Sequence, residues 1–355
     1  MRTCIICILF ALVLSLPCTA VDTGALEQAV PDSAREIMGD SGVEDFAAGS
    51  GFLNRLWHWA LASGKCQLGQ AAGSAGVVLT VTLLCSVAAA AGPDGRIPPY
   101  VLLGGALAIM GVCAGSIRSY LGLVGEAMEE LSEFSRALLP CVAAANAAVG
   151  RGAAGAARYT LSALFMDVLM SLGSRFVLPM LYGYCAVCTA NAALPGGAMG
   201  GPVKLMRWAC GTALKAITTV FTLCLSLTGV ITGSADKLAG SAAKAVISAA
   251  LPVVGKIVSD AADVYLAGAK ILRGAVGLFG LAAVLCVCVG PFVGLGLHYL
   301  LFKAAAMISE PFSDGRLSGL VGDVAACYGM ALGLLGSVAA MLFVSAAIGA
   351  EVLSG

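Results

Sequence analysis

Apolar runs of about twenty residues recur along the chain, the length an α-helix needs to cross the hydrocarbon core of a bilayer. They predict spans near residues 68–91, 99–119, 176–193, 210–232, 274–301 and 324–350. The first two flank a short turn rich in helix breakers, Gly92-Pro-Asp-Gly-Arg-Ile-Pro-Pro99, and so form a helical hairpin. Residues 161–194 would make a rod of about 50 Å, too long for one straight crossing. The span at 176–193 is therefore paired with a short or broken helix at 161–173, and Pro179 supplies a kink. A second break is expected at Gly290-Pro291. Residues 195–202 and 310–316 read as loops.

Between the spans the pattern becomes amphipathic. Glu126, Glu129, Glu130 and Glu133 lie within two helical turns, and Val124, Met128, Leu131, Phe134 and Leu138 supply the opposite face. Close carboxylates suit cation binding or acid–base chemistry, but neither Asp nor His lies nearby to complete a metal set. A solvated face is the simpler account. Residues 140–158, rich in Ala and Gly, carry Arg151 and Arg158 and suit a re-entrant or interfacial segment.

The most distinctive stretch is 236–273. Its polar residues recur at Lys237, Ser241, Lys244, Ser248, Lys256, Ser259, Asp263 and Lys270, mostly in steps of three or four. That spacing draws a thin polar stripe on an otherwise apolar helix. A soluble surface helix shows a broader charged face. This one suits a helix among membrane helices or along the bilayer surface, with one edge in water or against a partner. Pro252 and Gly255 read as a helix break, giving two helical pieces rather than one rod of more than about 50 Å.

At the start of the chain, Arg2 precedes an apolar run at 5–16 and then Pro17-Cys-Thr-Ala20, the pattern of a signal peptide at 1–20. Residues 21–66 hold seven acidic and three basic side chains and read as an acidic extracytoplasmic segment. Pro31 opens a short helix there that stops near Gly39. Trp57 and Trp59 mark a membrane interface, with His58 between them read as amphipathic filler.

Of 355 residues, 59% are hydrophobic and 11% charged, against about 25% charged in soluble domains. The net charge of zero offers no basic field for nucleic acid. Forty-six glycines favour close helix packing. The fold class is all-α: a polytopic membrane helical bundle with an N-terminal signal peptide and broken or amphipathic helices between spans. After the acidic segment come a transmembrane hairpin at 67–120, an amphipathic helix with broken membrane helices at 121–202, and a membrane region at 203–355. The fourteen cysteines sit mostly inside apolar runs and read as small apolar residues. Cys185-Ala-Val-Cys188 lacks the second pair of a zinc site. With no G-x-S-x-G, H-E-x-x-H or P-loop and only two histidines, the chain is read as no enzyme, with no catalytic, metal or cofactor-binding residue. Asp167 is the candidate intramembrane charge: at membrane depth it faces the bundle or a wet cavity, and at the interface it means little. Lys204, Arg207, Lys215, Lys237, Lys244, Lys256, Lys270 and Arg273 favour the cytoplasm for at least one flank of their region.

Several stretches carry a resemblance. Thr218-Thr-Val-Phe221, Asp236-Lys237, Lys244-Ala-Val-Ile-Ser248, Leu251-Pro-Val-Val-Gly255, Val258-Ser-Asp260, Arg273-Gly-Ala-Val-Gly277 and Ser309-Glu-Pro-Phe-Ser-Asp314-Gly-Arg316 resemble, in order and spacing, the stage III sporulation protein AE family. The resemblance is strongest over 205–350. It implies a multi-pass protein of endospore-forming bacteria, in the mother-cell membrane around the forespore. Its implied partners are the other membrane proteins of the stage III sporulation A operon and a forespore membrane protein across the intervening space. Together they would build a secretion-like channel complex that supports late forespore development, with this chain as a bilayer-embedded component. The alternative is a stand-alone secondary transporter. Pro179 and Pro291 interrupt apolar segments as that class requires, yet no inverted repeat aligns.

Overall fold

The structure is a computed structural model that describes residues 23–39, 42–43, 51–90, 98–148, 164, 166, 168–194, 198–220, 223, 255–313 and 315–350. Every regular element among them is helical. Two short helices, α1 (Thr23–Gln28) and α2 (Asp32–Met38), precede two long ones, α3 (Phe52–Ala90) and α4 (Pro99–Ala148). A π-helical turn at Gly173–Val177 leads into α5 (Leu178–Ala193). Helix α6 covers residues 200–220. The chain ends in α7 (Gly255–Ser309) and α8 (Gly315–Ala350). Among the described residues, five helical stretches are long and apolar enough to cross a membrane: Phe52–Ala88, Pro99–Ala145, Val168–Ala193, Gly274–Ser309 and Gly315–Phe343. The chain is a multi-pass membrane protein.

Several elements are longer than their sequence pattern. The interfacial Trp57-His58-Trp59 stretch is the first part of α3, with no boundary before the span. The hairpin's second span and the acidic amphipathic helix form one element of 50 residues, α4, with Pro140 inside it. At 1.5 Å per residue α4 is about 75 Å long, more than twice the bilayer core of about 30 Å. The expected break at Gly290-Pro291 is absent, because α7 runs through Pro291 without interruption. Proline costs one backbone hydrogen bond, but an apolar surrounding leaves helix as the state that satisfies all the other amides. Pro179 lies directly after the π turn, inside the continuous helical stretch Val168–Ala193, where its ring removes one backbone hydrogen bond. The loop read at 195–202 is shorter than expected, since α6 already begins at residue 200 with Pro202 in its first turn.

Packing pairs fix the directions of the helices. Tyr299 meets Gly329 and Phe292 meets Gly336, so α7 and α8 are antiparallel. Leu138 meets Gly280 and Tyr120 meets His298, so α4 also runs against α7. Trp59 and Val293 place α3 parallel to α7 through Gly290 and Gly64. Leu178 at Gly125 and Met128 at Gly173 set α5 against α4. Arg207 beside Asp323 and Leu214 at Gly333 set α6 parallel to α8. Thus α3, α5 and α7 run one way, and α4, α6 and α8 the other. The end of α4 and the start of α5 share one end of the bundle, which decides the parity that the sequence pattern leaves open.

Close approach depends on small residues. Gly322, Gly329, Gly333 and Gly336 of α8 face Ala306, Tyr299, Leu214 and Phe292. Hydroxyls inside apolar helices bond back to their own backbone: Thr82 to the Leu79 carbonyl, Ser86 to Thr82, Thr189 to Cys185 and Ser337 to Gly333. All the described cysteines are free and, apart from Cys66, buried, as small apolar residues would be.

The acidic segment is docked onto the bundle. Leu26, Ala34, Ile37 and Met38 are buried. Ser33 donates to a Glu130 carboxylate oxygen on α4, and Trp59 Nε1 on α3 donates to Glu36 at 3.4 Å. Glu27 accepts the Val43 backbone N–H at 2.8 Å, and Gly39 turns the chain at φ 65°.

Candidate functional site

The predicted polar stripe splits at the edge of the described residues. Lys237, Ser241, Lys244, Ser248 and Pro252 lie outside them, and so does Asp167. Gly255 is the first residue of α7, and Lys256, Ser259, Asp263 and Lys270 stand on its N-terminal turns. On α4 the apolar positions Val124, Met128, Leu131, Phe134 and Leu138 are all buried, while Glu126, Glu129 and Glu133 are exposed. His58 is exposed.

The structure brings together a group that the sequence pattern does not single out. Asp323 on α8, Tyr184 on α5 and Arg207 on α6 meet where the three helices pack together. The Tyr184 hydroxyl, in a fully buried side chain, donates to Asp323 Oδ1 at 3.0 Å. Arg207 donates to the Tyr184 oxygen from Nε at 3.1 Å and from Nη2 at 2.8 Å. Nη2 also forms an ion pair with Asp323 Oδ1. The phenol therefore accepts from the cation and donates to the anion, and all three charges and dipoles point the same way. Partial burial works against the Arg207 charge, but the phenol and carboxylate outweigh it and hold the guanidinium above its ordinary value. It remains a permanent cation. The Asp323 side chain is 17% exposed and that of Arg207 51%, so the pair opens to the outside of the bundle on the α6 side.

About one and a half turns further along α8, a second cluster closes the core. His298, 1% exposed, lies 4.4 Å from the Tyr120 ring and 5.2 Å from Tyr328, and it stacks on Phe302. Its Nδ1 sits 2.9 Å from the Gly294 carbonyl, which makes Nδ1 the protonated nitrogen of the neutral ring. Ser116 and Tyr328 share a 2.9 Å hydrogen bond. Gly294 is required here, since a Cβ on it would lie 2.4 Å from Tyr120 Cε1 and 2.6 Å from Gln67 Oε1. That Gln67 oxygen is buried without a hydrogen-bond partner. Among the described residues no group of three or more His, Cys, Asp and Glu is placed to hold a metal ion.

One signal for the charged group is legible in retrospect. Asp323 is an acidic residue at the edge of the last apolar run, and Arg207 is a basic one at the start of another. Charges at such positions seek each other in a bundle. Nothing local says which pairs with which, and Tyr184 is silent within an apolar stretch.

The fold and this polar node define an α-helical integral membrane protein whose helices are tied together by charge-assisted hydrogen bonds. The sequence profile of stage III sporulation protein AE matches residues 96–352, and the chain belongs to that family. The stage III sporulation protein AE of Bacillus subtilis (strain 168) is 23% identical over 190 residues, which is 54% of this chain and 48% of the relative. The chain thus aligns with about half the length of that curated relative. No solved structure matches.

Proposed function

We propose that this chain is a membrane-embedded structural or conducting subunit of a multiprotein sporulation channel complex, in the mother-cell membrane around the forespore. Its role there is to scaffold a path that late forespore development needs, and it acts without catalysis of its own. The Arg207–Tyr184–Asp323 node carries the reading. It clamps α5, α6 and α8 into one unit by charge-assisted hydrogen bonds. A rigid clamp suits a fixed component of an assembly better than a carrier whose halves must rock to alternate access. The polar stripe of 236–273 then serves as the wall of a wet path or as a contact for a partner subunit. Membership of a sporulation family supports the cellular setting. The partners are the other membrane proteins of the same operon and a forespore membrane protein facing them.

Copurification in mild detergent tests this reading. A stable complex with other sporulation membrane proteins is the expected result. Purified protein in liposomes that moved a solute with saturable kinetics, no partners added, would instead establish a solo carrier. The stripe has its own test: Ser241→Cys, Lys244→Cys, Ser248→Cys and Ser259→Cys, each probed with a membrane-impermeant maleimide in a background cleared of native cysteines. Labelling in the isolated protein marks a wet or accessible edge, and protection gained only in the complex marks a partner contact. Protection in both states removes the wet path.

A further inference from the structure

Helix α6 turns a polar face away from the core. Its buried side repeats every seven residues, at Val203, Cys210 and Ile217, with Met206, Ala213 and Leu214 packed beside it. Turned outward are Lys204, Arg207, Thr212, Lys215, Thr218 and Thr219, all exposed. Trp208 stands in the same arc near its first end, and Leu205 and Val220 border it.

Packing gives the depth of this face within the bundle. The middle residue of Gly315–Phe343 is Gly329, against which Tyr299 of α7 lies. The middle of Gly274–Ser309 falls at Phe292, which lies against Gly336. Gly122, the middle of Pro99–Ala145, comes two residues after Tyr120, whose ring meets Tyr328. Gln70, the middle of Phe52–Ala88, comes one turn after Gln67, which lies against Gly294. The fifth stretch, Val168–Ala193, centres one turn before Tyr184, the partner of Asp323. The candidate spans thus share a middle layer, set on α8 by Tyr328 to Gly336. Helix α6 crosses that layer at Lys215: Leu214 packs on Gly333, and the Thr218 hydroxyl lies 3.4 Å from that of Ser337.

Lys215 has no ion-pair partner among the described residues. Its four-carbon stem is far shorter than the roughly 15 Å between the middle of a bilayer and either headgroup plane. An ionisable group at that depth faces protein or a water-filled cavity, not lipid. A carboxylate on a neighbouring helix would satisfy Lys215 alone. Water satisfies the whole arc, the Thr212 and Thr219 hydroxyls included. Asp323 is already taken up by Arg207 and Tyr184, so the charges this face offers a solute are positive.

We propose that the outward arc of α6 is the wall of a water-filled path that admits small anionic solutes, such as those bearing phosphate or carboxylate. The inference rests on the channel reading above, in which the assembly supplies the opposite wall. Lysine and arginine along a wet wall raise the local concentration of anions and disfavour cations.

The test uses the full chain in broken native membranes, where both faces meet the reagent, in a background cleared of native cysteines. Lys215→Cys and Thr219→Cys should react with small water-soluble methanethiosulfonates. Ala216→Cys, at the depth of Lys215 but about 100° round the helix, should react about tenfold more slowly, since the thiolate forms in water. At Thr219→Cys an anionic sulfonatoethyl reagent should outpace a cationic trimethylammonium one at least threefold, relative to their rates with a free thiol. Adding Lys215→Gln should abolish that preference. Equal rates at Lys215→Cys and Ala216→Cys overturn the proposal, and so does a preference that survives Lys215→Gln. Protection of the arc while the complex still copurifies overturns it too, leaves the subunit reading standing, and assigns Lys215 to an acidic partner helix. Labelling of the arc with no complex to be isolated would instead remove the subunit reading and keep the wet wall.

Discussion

Asp323 is held by a phenol and a guanidinium at once, so its removal strands a cation rather than merely deleting a bond. Breaking a buried ion pair from one side costs about 3–5 kcal/mol, and the half-exposed Arg207 discounts this to about 1–3 kcal/mol. Asp323→Asn should therefore lower the thermal midpoint of the detergent-solubilised protein, followed by tryptophan fluorescence. The double change Asp323→Leu with Arg207→Met should recover part of the loss, because neither charge is then left alone. Additive losses would show that the two residues act independently. The aromatic cluster makes a steric prediction. Gly294→Ala pushes a methyl against Tyr120 and Gln67 and should cost about 1–3 kcal/mol. Gly296→Ala, with nothing within 4 Å, should be neutral or gain up to about 1 kcal/mol. The same melting measurement separates the two.

At the level of elements, the docked N-terminal helices depart most from a reading of composition. Residues 21–66 look like a free acidic segment, yet α1 and α2 bury Leu26, Ala34, Ile37 and Met38 against the bundle. Their charges face outward or meet polar groups on α3 and α4, as with Glu36 at Trp59. Met38→Asp would place a carboxylate at a site 1% exposed, and it should free the segment. Limited proteolysis would then cut within 21–50 while the membrane bundle stays intact. Ser33→Ala, which removes one hydrogen bond to Glu130, should cost about 0.5–1.5 kcal/mol and leave the segment docked. Both outcomes follow from apolar burial, not the hydrogen bonds, holding these helices.

For the whole molecule, alternating helix directions set the topology. The α3–α4, α5–α6 and α7–α8 connections gather at one end, and the docked acidic helices lie toward the other. The signal peptide expected at 1–20 predicts an extracytoplasmic place for the docked acidic helices and the end they lie toward, which leaves the first end facing the cytoplasm. Single cysteines at Phe312 and Glu129, both exposed, should therefore label from opposite faces in a background without other exposed cysteines. An impermeant maleimide added to intact cells should reach Glu129→Cys and miss Phe312→Cys. Labelling of both from one side would refute the helix directions.

The sequence by itself determined that this is a helical membrane protein, because spans of lipid-compatible length are written in local composition and need no partner to be read. It also located the buried face of α4, since helical period is a local property. Element lengths were less legible. Trp57-His58-Trp59, the polar half of α4 and Pro291 all look like boundaries, yet once packed each is spanned by a continuous hydrogen-bonded ladder. The Arg207–Tyr184–Asp323 node belongs to tertiary structure alone. Its members lie on different helices, and only the packed directions of those helices decide which charge meets a counter-charge.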